Sequence, residues 1–145
     1  MPLYFAYGSN MARARLEKRV GRVEDFGWAS LHGWRHGFEK RGSDGSGKGT
    51  IAPDPADVVH GVLYALSDPQ LTILHGIEVG YRTLELDVLV RSSDVRLRAV
   101  TYRAMASVGA LRPSRDYVDH YVTGVREHGL PPDYLQLILA LAGLE

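Results

Sequence analysis

Apolar positions along this chain fall into short segments whose spacing switches between the period of a strand and the period of a helix. Leu3 to Tyr7 is an apolar and aromatic run stopped by Gly8, which predicts a strand ending in a tight turn. From Met11 to Val20 the apolar Leu16 and Val20 stand one helical turn apart among Arg13, Arg15, Lys18 and Arg19. That spacing predicts a modest amphipathic helix, with Asn10 placed to cap it. Between Asp25 and Lys40 aromatics alternate with glycine and polar residues, which predicts two irregular strands, and Gly42 to Gly49 has the composition of a flexible loop. Val58 to Leu66 is strand-like. Ser67 and Gln70 then form a capping box, Pro69 suits a first helical turn, and Gly76 ends that helix.

The clearest alternation follows. Leu84, Leu86, Val88 and Val90 share one face, and after Ser92-Ser93-Asp94 the run Val95 to Arg103 alternates again, which predicts an antiparallel hairpin. Ser114 caps a helix carrying Tyr117, Tyr121 and Val125 on one stripe, and Gly129 ends it. Pro131-Pro132 open a last helix with Leu135, Ile138, Leu139 and Ala142 on its inner face. Strands dominate the middle of the chain without βαβ regularity. The expected class is therefore α+β, with a mainly antiparallel sheet.

Composition narrows the chemistry. A length of 145 residues is that of one domain, spanning residues 1–145, and 45% hydrophobic with 23% charged residues is globular. Lys plus Arg and Asp plus Glu are 17 each, so the net charge is zero and no global field draws the chain to nucleic acid or to an anionic membrane. Cysteine is absent, which removes disulfides, thiolate metal sites and cysteine nucleophiles. No stretch is long enough to span a membrane, and MPLYFAYG lacks the layout of a signal peptide, so a cytoplasmic location is expected.

The loudest motif is a decoy. Gly42-Ser43-Asp44-Gly45-Ser46-Gly47-Lys48-Gly49-Thr50 looks like a phosphate-binding loop, but such a loop must follow a buried strand and open a helix. Here a charged segment precedes it, and Pro53 and Pro55 forbid a helix after it, so a nucleotide kinase is not expected. His32, His36 and His75 have no metal-ligand spacing, and no metal is expected. Ser9 lies in a strand-to-helix turn, but Tyr7-Gly8-Ser9-Asn10-Met11 is not a nucleophile elbow. Two places remain suggestive. The N–H groups of Gly8, Ser9 and Asn10 can receive an anion or a developing oxyanion, although an ordinary Asn-capped turn explains them as well. Glu78, between Ile77 and Val79, is an acid in an apolar junction, where desolvation would raise its pKa; a solvated loop Glu is the plain alternative.

At these two places the chain resembles the γ-glutamylcyclotransferase family. The resemblance runs nearly end to end. It starts with Tyr4-Phe5-Ala6-Tyr7-Gly8-Ser9-Asn10-Met11, continues through Gly61-Val62-Leu63-Tyr64 and Glu78 with Gly80-Tyr81-Arg82, and ends with Pro113-Ser114, Tyr117 and Gly129-Leu130-Pro131-Pro132-Asp133-Tyr134. Members commonly have glycine directly after the acid, where this chain has Val79. The resemblance implies a small β-barrel flanked by helices, no cofactor, and release of 5-oxoproline from a γ-glutamyl compound. It implies that Tyr7, Gly8, Ser9 and Asn10 hold the γ-glutamyl group and that Glu78 is the general acid/base. Tyr102 and Tyr117 are candidates to line the pocket. The expected partner is a small-molecule γ-glutamyl substrate, and the chain is expected as a monomer or homodimer. A non-catalytic member of the fold, binding a small carboxylate-bearing ligand or a protein, is the alternative.

Overall fold

A computed structural model describes residues 1–144. Five strands, β1 (Leu3–Ala6), β2 (Glu24–Arg41), β3 (Gly47–Ala65), β4 (Tyr81–Val90) and β5 (Val95–Ala104), close into a barrel in the order β1-β3-β2-β4-β5. Neighbours pair antiparallel except β1 and β5, which meet in parallel at Tyr4 and Val100. The Thr101 hydroxyl reinforces that seam by donating to the Phe5 carbonyl at 2.8 Å. Among the described residues four α-helices accompany the barrel: α1 (Arg13–Val20), α2 (Asp68–Ile77), α3 (Arg115–His128) and α4 (Pro132–Leu141). The expected α+β barrel with flanking helices is the observed fold. No helix among the described residues is long and apolar enough to cross a membrane.

The period-two alternation of the strands sorts two cores. Phe5, Leu31, Val59, Leu63, Val88 and Ala99 belong to a cluster built from all five strands, together with Tyr7. Their neighbours in sequence, such as Tyr4, Ala6, Val62 and Tyr64, belong to a second cluster with Leu16, Leu74, Tyr121 and Ile138 from the four helices.

Several local expectations change. The stretch from Glu24 to Arg41 is one long strand, not two. Its interruptions are register shifts at Asp25/Gly27, His32/Trp34 and Gly37/Lys40. Gly27 (φ 79°) and Gly33 (φ 86°) take the left-handed backbone that a bulge needs, so glycine marks bends in a continuous strand. The loop after it is shorter than its composition suggests, because β3 already begins at Gly47, and Gly47 and Lys48 pair with Arg41 and Lys40 of β2. Thr50 to Pro53 continue the strand, so no helix follows Lys48 and the phosphate-loop context is missing. Helix α2 keeps its capping box and runs one residue past Gly76, to Ile77.

Asn10 does not cap α1. A 3-10 turn over Ser9–Met11 intervenes, and α1 starts after Ala12, whose side chain has no acceptor. The first N–H of α1, at Arg13, instead donates to Glu127 Oε1 of α3 at 2.7 Å. Tertiary packing thus supplies the cap and leaves the Asn10 amide for other work. Helix α3 reaches this turn through Gly124, where a Cβ would lie 2.6 Å from the Met11 carbonyl carbon and 2.8 Å from the Ala12 nitrogen. In a free helix Gly→Ala stabilises by about 1 kcal/mol, but overpacking against rigid backbone costs about 1–3 kcal/mol. Gly124→Ala is therefore expected to destabilise the protein, by about 1–2 kcal/mol net; urea denaturation would measure it, and a more stable variant would contradict this packing.

Candidate active site

One cavity of about 750 Å3 opens where β1 leaves the barrel. Tyr7, Gly8, Ser9 and Asn10 line it from the loop after β1, Glu78 from the α2–β4 junction, Tyr102 from β5 and Tyr117 from α3. All seven residues singled out in the sequence therefore meet around one space.

Glu78 is the C-cap residue of α2, and its N–H donates to the Leu74 carbonyl. It then starts a tight turn in which the Tyr81 N–H reaches back to the Glu78 carbonyl at 3.3 Å. Gly80 has φ 83°, as the third residue of a type II turn requires. Val79 takes the second position, which has no need of a positive φ, and the residue is 76% exposed. The β-branched residue after the acid thus points to solvent, and the glycine that the turn needs comes one place later.

The Glu78 side chain is 17% exposed. Its Oε1 accepts from the Asn10 amide at 3.4 Å and lies 3.9 Å from Arg19 Nη1. The same Asn10 amide donates to the Tyr4 hydroxyl, and its oxygen accepts from Arg19. Burial pushes the Glu78 carboxyl above the usual carboxylate range, and Arg19, Lys40, Arg15 and the Asn10 bond only partly oppose it. Glu78 is the single carboxylate among the described residues lining the cavity.

The tyrosines build the walls. Tyr7 donates its hydroxyl to the Tyr102 carbonyl, so that group is committed to structure. Tyr102 shares a hydrogen bond of 2.6 Å with His75 Nδ1. Tyr117 Oη accepts from the Gly49 N–H at 2.9 Å, and Tyr81 donates to the Gly49 carbonyl at 2.7 Å, which pins the start of β3 to the cavity from both sides. Behind them Tyr121 bonds His36 Nε2 at 2.7 Å. A Cβ at Gly49 would run into the Tyr121 hydroxyl and come 2.8 Å from His36 Nε2, so only glycine fits there. Burial pushes the phenols of Tyr4, Tyr7, Tyr117 and Tyr121 up, so all four stay neutral at physiological pH. Burial also pushes His36 down to about 3, with Arg35 adding to it, so its imidazole is neutral.

Ser9 accepts from Arg15 Nε at 3.0 Å, and among the described residues no histidine or carboxylate bonds its hydroxyl. It therefore lacks the base that a nucleophile needs. No backbone partner engages the N–H groups of Gly8, Ser9 or Asn10 among the described residues, while Met11 and Ala12 donate back to Gly8 and Ser9. Gly8 packs close to α3, since a Cβ there would sit 3.3 Å from the Tyr121 hydroxyl, a tight contact. Among the described residues no group of three or more His, Asp or Glu side chains is placed to hold a metal.

Sequence reasoning missed Tyr4, Tyr81, Arg15, Arg19, Lys40 and Lys48, all of which line the same cavity. Tyr4 and Tyr81 stand inside the two motifs that carry the resemblance, each three positions from a predicted site residue, Tyr7 and Glu78. The four cations carry no local signal, because their role depends on which strand or helix face turns to the cavity.

The sequence profile of the AIG2-like family matches residues 58–138, more than half of the chain. This chain belongs to the AIG2-like family. The γ-glutamylcyclotransferase of Mus musculus is 28% identical to this AIG2-like chain over 153 residues, covering 96% of this chain and 78% of that protein. The γ-glutamylcyclotransferase of Homo sapiens is 29% identical over 150 residues, with the same two coverages, 96% and 78%. A solved γ-glutamyl cyclotransferase structure superposes with a TM-score of 0.87 at 28% identity, covering 96% of this chain and 86% of that one.

The raised Glu78 pKa has a consequence for stability. A carboxyl whose folded pKa exceeds its unfolded value contributes stability that is full below the unfolded pKa, about 4.3, and is lost as pH rises through the folded pKa. Glu78→Gln keeps the shape without the buried charge. It is expected to melt a few degrees above the wild type at pH 7, with the gap closing at about pH 4. Thermal melts at the two pH values check this, and a variant less stable at pH 7 would refute it.

Proposed function

We propose that this AIG2-like protein is a γ-glutamylcyclotransferase, releasing 5-oxoproline and a free amine or amino acid from a γ-glutamyl compound. The observation that carries this reading is Glu78: one carboxylate, desolvated and with a raised pKa, facing a cavity that is otherwise cationic and phenolic. The similarity to γ-glutamylcyclotransferases over nearly the whole chain supports it.

The chemistry needs no enzyme nucleophile. The α-amine of the substrate attacks its own γ-carbonyl, a C–N bond forms in a five-membered ring, and the amide C–N bond to the leaving group breaks. Holding the chain folded for this attack can be worth an effective concentration of about 10⁵ M or more. Glu78 takes the proton that the α-ammonium must lose and returns it to the leaving nitrogen. A raised pKa suits a group that must both accept and donate near neutrality. The unengaged N–H groups of Gly8, Ser9 and Asn10 suit the substrate carboxylate or the oxyanion of the tetrahedral intermediate, a role in which one donor is worth about 3 kcal/mol. Tyr102 and Tyr117 shape the walls as neutral groups. A cavity of about 750 Å3 has room for a γ-glutamyl group together with its leaving group.

Glu78→Gln is expected to lower 5-oxoproline release by about 10²–10⁴-fold, and Ser9→Ala to retain most of the rate. Mass detection of 5-oxoproline over a panel of γ-glutamyl compounds measures both. Full rate in Glu78→Gln would overturn the assignment, and a dead Ser9→Ala would point to a covalent route. In the wild type, kcat/KM is expected to fall on the acidic side as Glu78 is protonated. The midpoint of that limb lies above the ordinary glutamate pKa, because burial raises the group. A limb at the ordinary value would detach it from Glu78.

A further inference from the structure

One histidine on the outside of the fold is wired to a wall of the cavity. His75 lies in the last turn of α2, three residues before Glu78, and it is exposed. Its Nδ1 nevertheless stands 2.6 Å from the hydroxyl of Tyr102, a buried residue of β5 that lines the cavity. The two rings meet edge to face, with centroids 5.6 Å apart. The cyclisation scheme leaves this bond unused.

The proton in the bond belongs to Tyr102. An imidazole nitrogen is a better base than a phenol oxygen, and a phenol is a better donor than a neutral imidazole N–H. Burial pushes the Tyr102 phenol up, with the Glu78 charge adding to it, so the hydroxyl keeps its proton. That O–H is spent on His75, and what Tyr102 has left for the cavity is the acceptor side of its oxygen. Tyr117 is wired the other way. Its Oη already accepts from the Gly49 N–H, which leaves its own proton to donate. The two polarities stand at different places. A Cβ at Gly8 would lie 3.7 Å from Tyr117 Oη, beside the loop N–H groups. Tyr102 instead packs edge-on against Tyr4 at 5.9 Å, and Tyr4 shares the Asn10 amide with Glu78.

We infer that His75 is a positioning residue: by accepting the Tyr102 O–H it keeps Tyr102 as an acceptor for the α-ammonium of the γ-glutamyl group. This rests on the cyclisation reading above. The α-ammonium carries three protons. Glu78 removes one, and the lone pair that attacks is the one this proton leaves behind. An acceptor for a second N–H fixes the nitrogen about its C–N bond and turns the freed lone pair toward the γ-carbonyl. A Tyr102 hydroxyl pointing into the cavity would do the reverse, because it would donate to that same lone pair and hold it back. His75 removes the competing donor while touching no substrate atom itself.

The test is made at about pH 8, where an imidazole is neutral. His75→Leu is expected to lower kcat/KM for γ-glutamyl-alanine by about tenfold, the scale of a hydrogen bond to a charged group. His75→Asn should restore most of that loss, because its Oδ1 stands on Cγ as Nδ1 does and accepts the same bond. In a Tyr102→Phe background His75→Leu should have no further effect. Binding gives a readout that general damage to the cavity would not mimic. In Glu78→Gln, slow enough to titrate, calorimetry compares γ-glutamyl-alanine with N-glutaryl-alanine, which differ only in the α-amine. Adding His75→Leu should weaken the first by about tenfold and leave the second unchanged. A His75→Leu enzyme at full rate, an Asn variant as slow as the Leu variant, additive losses with Tyr102→Phe, or equal weakening of both compounds overturns the inference. Should no γ-glutamyl compound turn over in the wild type, the cyclisation reading fails by itself. The same titration on the wild type and His75→Leu then decides the role of His75: selective weakening of γ-glutamyl-alanine upholds it, and equal or absent binding overturns it.

Discussion

The parallel contact of β1 with β5 is the constraint on which the site depends. Strand β1 is only four residues long, yet it pairs with β3 along its length and touches β5 at Tyr4 and Val100. That contact closes the barrel, and the Thr101 hydroxyl bonded to the Phe5 carbonyl holds it. Closure fixes where the chain emerges. The residues after Ala6 leave the barrel beside Tyr102, and the Tyr7 hydroxyl bonds the Tyr102 carbonyl there. The substrate loop is therefore not a free turn. It is tied to β5 at one end and packed under Gly124 of α3 at the other.

Around this exit the electrostatics are lopsided. Among the described residues a single carboxylate faces several cations, yet desolvation still wins at Glu78, and its pKa moves up. Burial outweighs the opposing charges because the nearest guanidinium, at 3.9 Å, is at ion-pair limit and shared with Asn10. A bidentate arginine in direct contact would have held the acid ionised and left it a poor proton donor. Asn10 has the central place in this balance. Its amide touches Tyr4, Glu78 and Arg19 at once, so it orients the acid without fully neutralising it. The capping task that its position suggests is done by Glu127 across the fold.

Much of this was legible in the chain. The hairpin of β4 and β5, the capping box of α2, the Ser114 cap, the Gly129 stop and the start of α4 near Pro131-Pro132 all appear where local patterning places them. Each is written within a few residues, by side chains that act on their own backbone or on neighbours at period two or 3.6. The long strand β2 was less legible. Its glycines read as breaks, whereas a partner strand of nearly equal length carries it through three register shifts. A strand's continuity is decided by what pairs with it, and that partner lies beyond the turn.

The sequence by itself determined the class of the fold, most element boundaries, and the two segments that carry the candidate chemistry. It did so because amphipathic period, caps and turn residues are local properties. Only the tertiary structure decided that Glu78 is desolvated, that Gly8 and Gly49 lie close to Tyr121, and that Lys40 and Lys48 stand side by side facing the cavity. Burial, close approach and the summed field of charges are properties of residues far apart in the chain. They exist only once the barrel has closed and brought those residues together.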